Sequence, residues 1–264
     1  MKIALIQMTS SSDVATNLKY VTSKIREAAA LGASFILTPE NSDFMIDGAE
    51  RKISGAYDEL SHPFIPAIKE LAKELNITIL LGSIAIKIGE GRLNNRSYMF
   101  SSSGDILASY NKIHLFDVDL PTGESRRESD MITAGDKTVL VDAGFAKIGM
   151  TICYDIRFPD LFRGLAKAGA EILTVPSAFT VPTGEMHWEV LLRARAIENG
   201  AFVIAPAQCG THDGGRKTYG HSMVVDPWGK VIAEAGTEPT ILYAEIDKKE
   251  IAHFRQAIPS LNHK

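Results

Sequence analysis

Short runs that are apolar on both faces constrain the fold of this chain more than any other feature. "SFILT" (34–38) and "ITILLGSIAIK" (77–87) leave no polar face for solvent, and "EILTVPSAF" (171–179) and "AFVIAPAQC" (201–209) read as further strands. Strands of that kind need cover on both sides. "KIALIQM" (2–8) supplies a further strand at the start. The cover is present in the sequence. Val14, Leu18, Val21, Ile25 and Ala28 recur at helical spacing, with Asp13 placed to cap the helix and Gly32 to end it. "PFIPAIKELAKELN" (63–76) reads as a second helix, with Pro63 in the first turn, where no N–H is needed. "PDLFRGLAKAGA" (159–170), "EMHWEVLLRARAIENG" (185–200, closed by Gly200) and "KKEIAHFRQAI" (248–258, capped by Asp247) complete the set.

The alternation predicts an α/β domain with helices on sheet faces. It is not purely parallel. "LNNRSYMFS" and "ILASYNKI" flank the turn "SSSGD" as a hairpin. "TVLVDAG" with "AKIGMTIC", and "MVVDPWGKVIAEA" around Pro227, Trp228 and Gly229, form two more; "TILYAEID" is a further strand. Residues 116–137 are polar and without period, which predicts a functional loop. With no linker, repeat or low-complexity tract, the chain is expected to be a single domain over 1–264.

Composition excludes several classes. The 28 basic and 32 acidic residues give a net charge of −4 and are interspersed, so no basic block is present to follow a nucleic-acid backbone. No apolar run approaches a membrane span, and "MKIALIQMTS" is too short for a signal-peptide core. Two cysteines, Cys153 and Cys209, make neither a disulfide framework nor a CxxC metal site. The expectation is a cytoplasmic protein without membrane or nucleic-acid partners, metal or cofactor.

Ligands of open α/β sheets gather at the carboxyl ends of strands. Three ionisable residues stand there: Glu40 after "SFILTP", Lys112 after "ILASYN" and Cys153 after "AKIGMTI". A solvated acid, a surface lysine and a buried thiol explain them singly. Together they have a chemical logic. A carboxylate can take a thiol proton as general base, a nearby ammonium favours the thiolate, and a fixed cation with backbone N–H groups can hold the anion that forms on an attacked amide. The Tyr154 N–H, next to Cys153, is the expected backbone donor. A Cys–His pairing of Cys153 with His114 or His221 is the competing arrangement, although no segment around those histidines resembles such an enzyme.

"LTPEN", "YNKIHLFD" and "GMTICYDIRFPDL" resemble, in order and spacing, the three signature segments of the nitrilase superfamily, the carbon–nitrogen hydrolases. The resemblance spans essentially the whole chain. It implies a four-layer αββα sandwich with mixed sheets and outer helices, and a Glu–Lys–Cys catalytic set at Glu40, Lys112 and Cys153. It also implies a second glutamate before the nucleophile strand. "TGESRRESDMITAGD" offers Glu128 and Glu124; Glu128 fits the family spacing better, though Ala134 stands where the family usually has proline. The chemistry implied is amide hydrolysis through a thioester, with no cofactor, in a homodimer or larger homo-oligomer. The helix after Cys153 and the tail "RQAIPSLNHK" are expected interface pieces by that analogy.

The segments "SAFTVPTGEMHWEVLLRARAIENG" and "AQCG…YGHSMVVDPWG" resemble the branch of ω-amidases and deaminated-glutathione amidases, leaning to the latter. That branch implies a small-molecule amide substrate, deaminated glutathione, cleaved to 2-oxoglutarate and cysteinylglycine. α-Ketoglutaramate and N-carbamoyl amino acids are the alternatives within the superfamily. An acyl transferase and a non-catalytic binding protein that kept the fold are the alternatives to hydrolysis. Such substrates carry carboxylates, so a cation should meet them. Arg157 is the expected anchor, with a structural ion pair as its other reading. Phe179, Thr180 and Thr183 are expected to line the substrate pocket, and His187 and Trp188 to pack.

Overall fold

The structure is a computed structural model and describes residues 1–121, 123 and 125–263. In chain order the first half comprises β1 (Lys2–Gln7), α1 (Val14–Ala30), β2 (Phe35–Leu37), α2 (Ala49–Gly55), β3 (Tyr57–Asp58), α3 (Phe64–Leu75), β4 (Thr78–Gly89), β5 (Arg92–Phe100), β6 (Ile106–Asn111), β7 (Asp117–Asp119) and β8 (Ser125–Arg127). The second half comprises β9 (Val139–Asp142), β10 (Lys147–Met150), α4 (Pro159–Lys167), β11 (Ile172–Thr174), α5 (Val181–Asn199), β12 (Phe202–Ala205), β13 (Cys209–Thr211), β14 (Lys217–Tyr219), β15 (Met223–Val225), β16 (Val231–Glu234), β17 (Thr240–Glu245) and α6 (Lys249–Ala257).

Two mixed sheets carry the fold, in the orders β17-β1-β2-β4-β5-β6 and β16-β15-β12-β11-β10-β9. Each has a parallel trio, β1-β2-β4 and β12-β11-β10, flanked by antiparallel strands. Side-chain alternation shows how they stack. In the first sheet Ile3, Leu5, Phe35, Leu37, Leu80 and Met99 face the second sheet. Their neighbours Ala4, Ile6, Ile36, Ile79, Leu81 and Phe100 pack with Val21 and Ile25 of α1 and Ile68 and Leu71 of α3. Helices α4 and α5 pack on the second sheet through Phe162, Leu165, Trp188 and Leu192. The layers are therefore α, β, β, α, as the resemblance implies. Burying one Leu or Phe contributes roughly 1.5–3 kcal/mol, so a two-sided core of this kind needs no staple.

Local signals mostly act as their chemistry dictates. The Asp13 carboxylate accepts from the Thr16 N–H and caps α1, and Gly200 ends α5 in the left-handed region. Asp247 stands just ahead of α6, and its carboxylate accepts from the N–H of the first helical residue, Lys249, at 3.0 Å. Helix α5 begins at Val181, four residues before the sequence pattern starts, with Pro182 in its first turn. The stretch 116–137 is more ordered than expected: β7 and β8 pair, and Glu128–Asp130 make a 3-10 turn. The short α2, β3 and the β13–β14 hairpin carry too few residues for a period to show. Leu161, Phe162 and Leu165 of α4 are buried against the chain's own core. Among the described residues, no helix is long and apolar enough to cross a membrane.

Candidate active site

The turn after β2 carries Glu40. Gly82 permits it: a Cβ there would run into the Thr38 and Pro39 carbonyl oxygens. The turn is tied down from other elements. Gln208 Nε2 donates to the Glu40 carbonyl at 2.9 Å, and the Asn41 N–H donates to Ser83 Oγ at 3.0 Å. Lys112 directly follows β6; its N–H donates to the Asn95 carbonyl and its own carbonyl accepts from Gly135. Cys153 follows β10 at the start of a one-turn 3-10 helix, Cys153–Arg157. Its φ of 48° is left-handed, a conformation that costs a non-glycine residue on the order of 1–3 kcal/mol and persists only where the surroundings impose it.

The Cys153 N–H donates to the Pro176 carbonyl at 3.0 Å, and Asp155 braces the turn. This fully buried carboxylate accepts from Ile152 N–H (2.8 Å) and Tyr110 O–H (2.7 Å) through one oxygen. Its other oxygen accepts from the His114 N–H (3.0 Å) and lies 2.7 Å from His114 Nδ1. The His114 ring stacks on Phe158 with centroids 3.5 Å apart. Asp155 thus joins the Cys153 turn to the segment that follows Lys112.

The three strand ends converge. Lys112 Nζ lies 2.9 Å from Glu40 Oε1 and 2.8 Å from Glu128 Oε2. Asn95 Nδ2 donates to both glutamates, at 2.9 and 3.2 Å, and the Phe116 N–H donates to Glu128 at 2.7 Å. Glu40 and Lys112 are 3% and 2% exposed. Charges so placed lose hydration worth several kcal/mol each, which only their mutual contacts offset.

Those contacts set the protonation states. Burial works against charge on Glu40, but Lys112 and hydrogen bonds from Cys153 and Asn95 outweigh it and hold the carboxyl below its ordinary 4.5. Burial also opposes the Lys112 charge, and the Glu128 and Glu40 carboxylates overcome it, holding the ammonium well above 10.5. The Cys153 thiol is pushed up by burial and by Glu40; Lys112 and the Ala178 N–H pull the other way without prevailing. At neutral pH the group holds a carboxylate, an ammonium and a protonated thiol that donates to Glu40. This differs from a preformed thiolate. It is a base poised to take the proton during attack.

These side chains line a cavity of about 800 Å³, its open mouth included. Phe179, Thr180 and Thr183 line it, and so does Tyr154. The Tyr154 N–H lies in the first turn of the 3-10 helix, where N–H groups have no partner within the helix. Arg157 is not among the lining residues. Its guanidinium lies over the Tyr154 and Phe179 rings, 5.7 Å from each centroid, and 3.2 Å from His187 Nδ1. Two aromatic faces hold it outside the cavity. The cations that do line the cavity, besides Lys112, are Lys52, Arg126, Arg127 and Arg216. None of them follows an apolar run, so sequence reasoning had no handle on them. It missed Asn95 and Asp155 too, although Asp155 stands two residues from Cys153.

Neither histidine of the competing arrangement lines the cavity. His114 is engaged by Asp155, and His221 lies 2.8 Å from Glu234 and stacks on Tyr219. Cys209 is buried beside Thr9 and also lies outside the lining. Trp188 packs on Phe179 and donates to the His221 carbonyl. Glu124 lies outside the described residues. Among the described residues, no three His, Cys, Asp or Glu side chains gather as a metal site.

Comparisons with known proteins identify the family. The carbon–nitrogen hydrolase family profile matches residues 2–256. A deaminated glutathione amidase of Synechocystis is 41% identical over 99% of this chain and 97% of its own length. An omega-amidase of Mus musculus is 39% identical over 100% of this chain and 94% of its own. The crystal structure of the C. elegans NitFhit protein superposes with a TM-score of 0.93 at 38% identity; this chain is covered completely and spans 64% of that one. A buried thiol, carboxylate and ammonium meeting at strand ends, in a fold shared over its full length with such relatives, lead to one assignment: the chain belongs to the carbon–nitrogen hydrolase family, the nitrilase superfamily, and is an amidase of the kind that uses an active-site cysteine.

Proposed function

We propose that the whole chain acts as one catalytic domain that hydrolyses deaminated glutathione to 2-oxoglutarate and cysteinylglycine. The observation that carries the chemistry is the contact of Lys112 Nζ with both Glu40 and Glu128, beside a thiol hydrogen-bonded to Glu40. Glu40 takes the Cys153 proton as the sulfur attacks the amide carbon. Negative charge passes to the amide oxygen. The Lys112 ammonium and a backbone N–H, Tyr154 being the expected donor, stabilise it. Glu40 then returns the proton to the leaving amine and a thioester remains. Water, deprotonated by Glu40, attacks the thioester and frees the acid. Glu128 holds Lys112 in place and balances its charge.

The substrate rests on likeness to deaminated glutathione amidases and on the cationic residues of the cavity, which suit an acyl group bearing a carboxylate. The omega-amidase relative keeps α-ketoglutaramate as the second reading; there the leaving group is ammonia. Assembly into a homodimer or larger homo-oligomer, and a cytoplasmic location, belong to the same proposal. Sedimentation velocity tests the assembly. Side-by-side rates on deaminated glutathione, α-ketoglutaramate, an N-carbamoyl amino acid and a simple nitrile test the substrate. The highest kcat/KM is expected on deaminated glutathione; a preference for the carbamoyl compound or the nitrile overturns the substrate and leaves the Glu–Lys–Cys chemistry standing.

A further inference from the structure

Two cations of the cavity have no part in the amide chemistry, and both adjoin residues that do. Lys52, on α2, donates to Asn41 Oδ1 at 2.6 Å, one residue from Glu40. Arg216, between β13 and β14, reaches the Ala178 carbonyl at 3.4 Å, and the Ala178 N–H points at the Cys153 sulfur. Arg216 Nε is buried without a hydrogen-bond partner. A buried, unpaired guanidinium nitrogen is costly, and its cost falls when an anion enters.

Among the described residues neither Lys52 nor Arg216 forms an ion pair with a nearby acid, although Asp43, whose Oδ1 has no hydrogen-bond partner, is the acid that acts most on Lys52. Asp47 pairs with Arg126 at 3.1 Å. Asp43 is fully buried, where it accepts from the Ala85 N–H and lies 3.4 Å from His62 Nε2. Burial draws the Lys52 pKa down; Asp43 opposes that, and the charge of Arg216 adds to it. Two cations this close repel each other until an anion sits between them.

We propose that Lys52 and Arg216 form the subsite for the carboxylate of the acyl group, selecting amides whose acyl chain ends in an α-keto acid. This rests on the amidase reading above. The guanidinium offers a two-pronged match to a carboxylate and the ammonium a single strong donor. We assign these two cations to the acyl side of Cys153. The subsite therefore serves deaminated glutathione and α-ketoglutaramate equally, and leaves the amine side to distinguish them.

The test is calorimetric titration of the protein with 2-oxoglutarate and with its dimethyl ester. 2-Oxoglutarate should bind and the ester should bind at least tenfold more weakly. Lys52→Met and Arg216→Gln should each weaken 2-oxoglutarate binding at least tenfold, and Lys52→Arg should restore most of it. A second measurement needs no variant: 2-oxoglutarate should protect Lys52 of the wild-type protein from acylation by acetic anhydride, read by peptide mass mapping. Equal binding of acid and ester, unchanged affinity in well-folded variants, or an unprotected Lys52 overturns the subsite. If 2-oxoglutarate binds through these residues while no α-keto amide is hydrolysed, the subsite stands and the α-keto amide substrate reading falls.

Discussion

The Lys112 ammonium stands 2.9 Å from the Glu40 carboxylate, with 2% and 4% of their side chains exposed. Neither charge is tenable there alone. The pair fixes Glu40 as the ionised base and leaves the neighbouring thiol protonated, so catalysis begins with a proton transfer to Glu40. Replacing Glu40 by Gln keeps the shape and removes the base. We expect kcat to fall by roughly 10²–10⁴, the usual worth of a positioned general base, with KM changed far less, in steady-state assays.

Lys112→Met leaves Glu40 and Glu128 facing each other without their shared cation. Removing one partner of a buried charge cluster costs roughly 3–5 kcal/mol. Urea denaturation should show a loss of that size together with loss of turnover. A variant as stable as wild type would mean that the cluster is not held as described.

The pKa shifts give a pH dependence with a definite sign. Glu40 is lowered on folding from 4.5, so it contributes stability that is fully present above that value and is lost as pH falls through its folded pKa. Lys112 is raised above 10.5, so its contribution is fully present below 10.5 and is lost only as pH rises through its folded pKa. Across the neutral range neither group changes charge. Thermal melts should therefore show no dependence on pH from this cluster between about 5 and 8, with a loss setting in above the ordinary thiol range because folding raises the Cys153 pKa, and kcat/KM should keep its acid limb below the ordinary carboxylate range. In Glu40→Gln the acid limb due to Glu40 should vanish.

Asp155 tests whether the left-handed turn at Cys153 is held from outside. Asp155→Asn loses acceptor capacity toward the Tyr110 hydroxyl, the Ile152 N–H and His114. A nucleophile misplaced by about 1 Å can lose on the order of 10²-fold in rate. The expected result is a lower kcat with KM nearly unchanged and a changed rate of Cys153 alkylation by iodoacetamide. Tyr110→Phe, which removes one donor, should show the same split to a smaller degree.

Gly82 supports the base as Asp155 supports the nucleophile. Gly82→Ala drives a methyl group into the Thr38 and Pro39 carbonyls. Overpacking of this kind costs roughly 1–3 kcal/mol, and Glu40 moves with the turn. Both the melting temperature and kcat should fall.

The α/β class could be read from the sequence because two-sided apolar strands and amphipathic helices leave few ways to be covered, whereas the four-layer αββα order followed from the resemblance to the nitrilase superfamily. Glu40, Lys112 and Cys153 stood out because each follows such a strand directly. Lys52, Arg126 and Arg216 did not, since they lie on a short helix, a small hairpin and a connecting loop, where no period marks a side chain as inward-facing. Arg157 shows the opposite failure. Its place four residues after Cys153 suggested the pocket, but the 3-10 turn carries it outward onto Tyr154 and Phe179.

The central claim is a thioester at Cys153, and intact-mass spectrometry of protein quenched in acid during turnover of deaminated glutathione tests it most directly. We predict a mass increase equal to the 2-oxoglutaryl group replacing the thiol hydrogen, mapped to the peptide that contains Cys153 and absent from Cys153→Ala, which should have no turnover. An adduct on Cys209, or full activity in Cys153→Ala, would contradict the account.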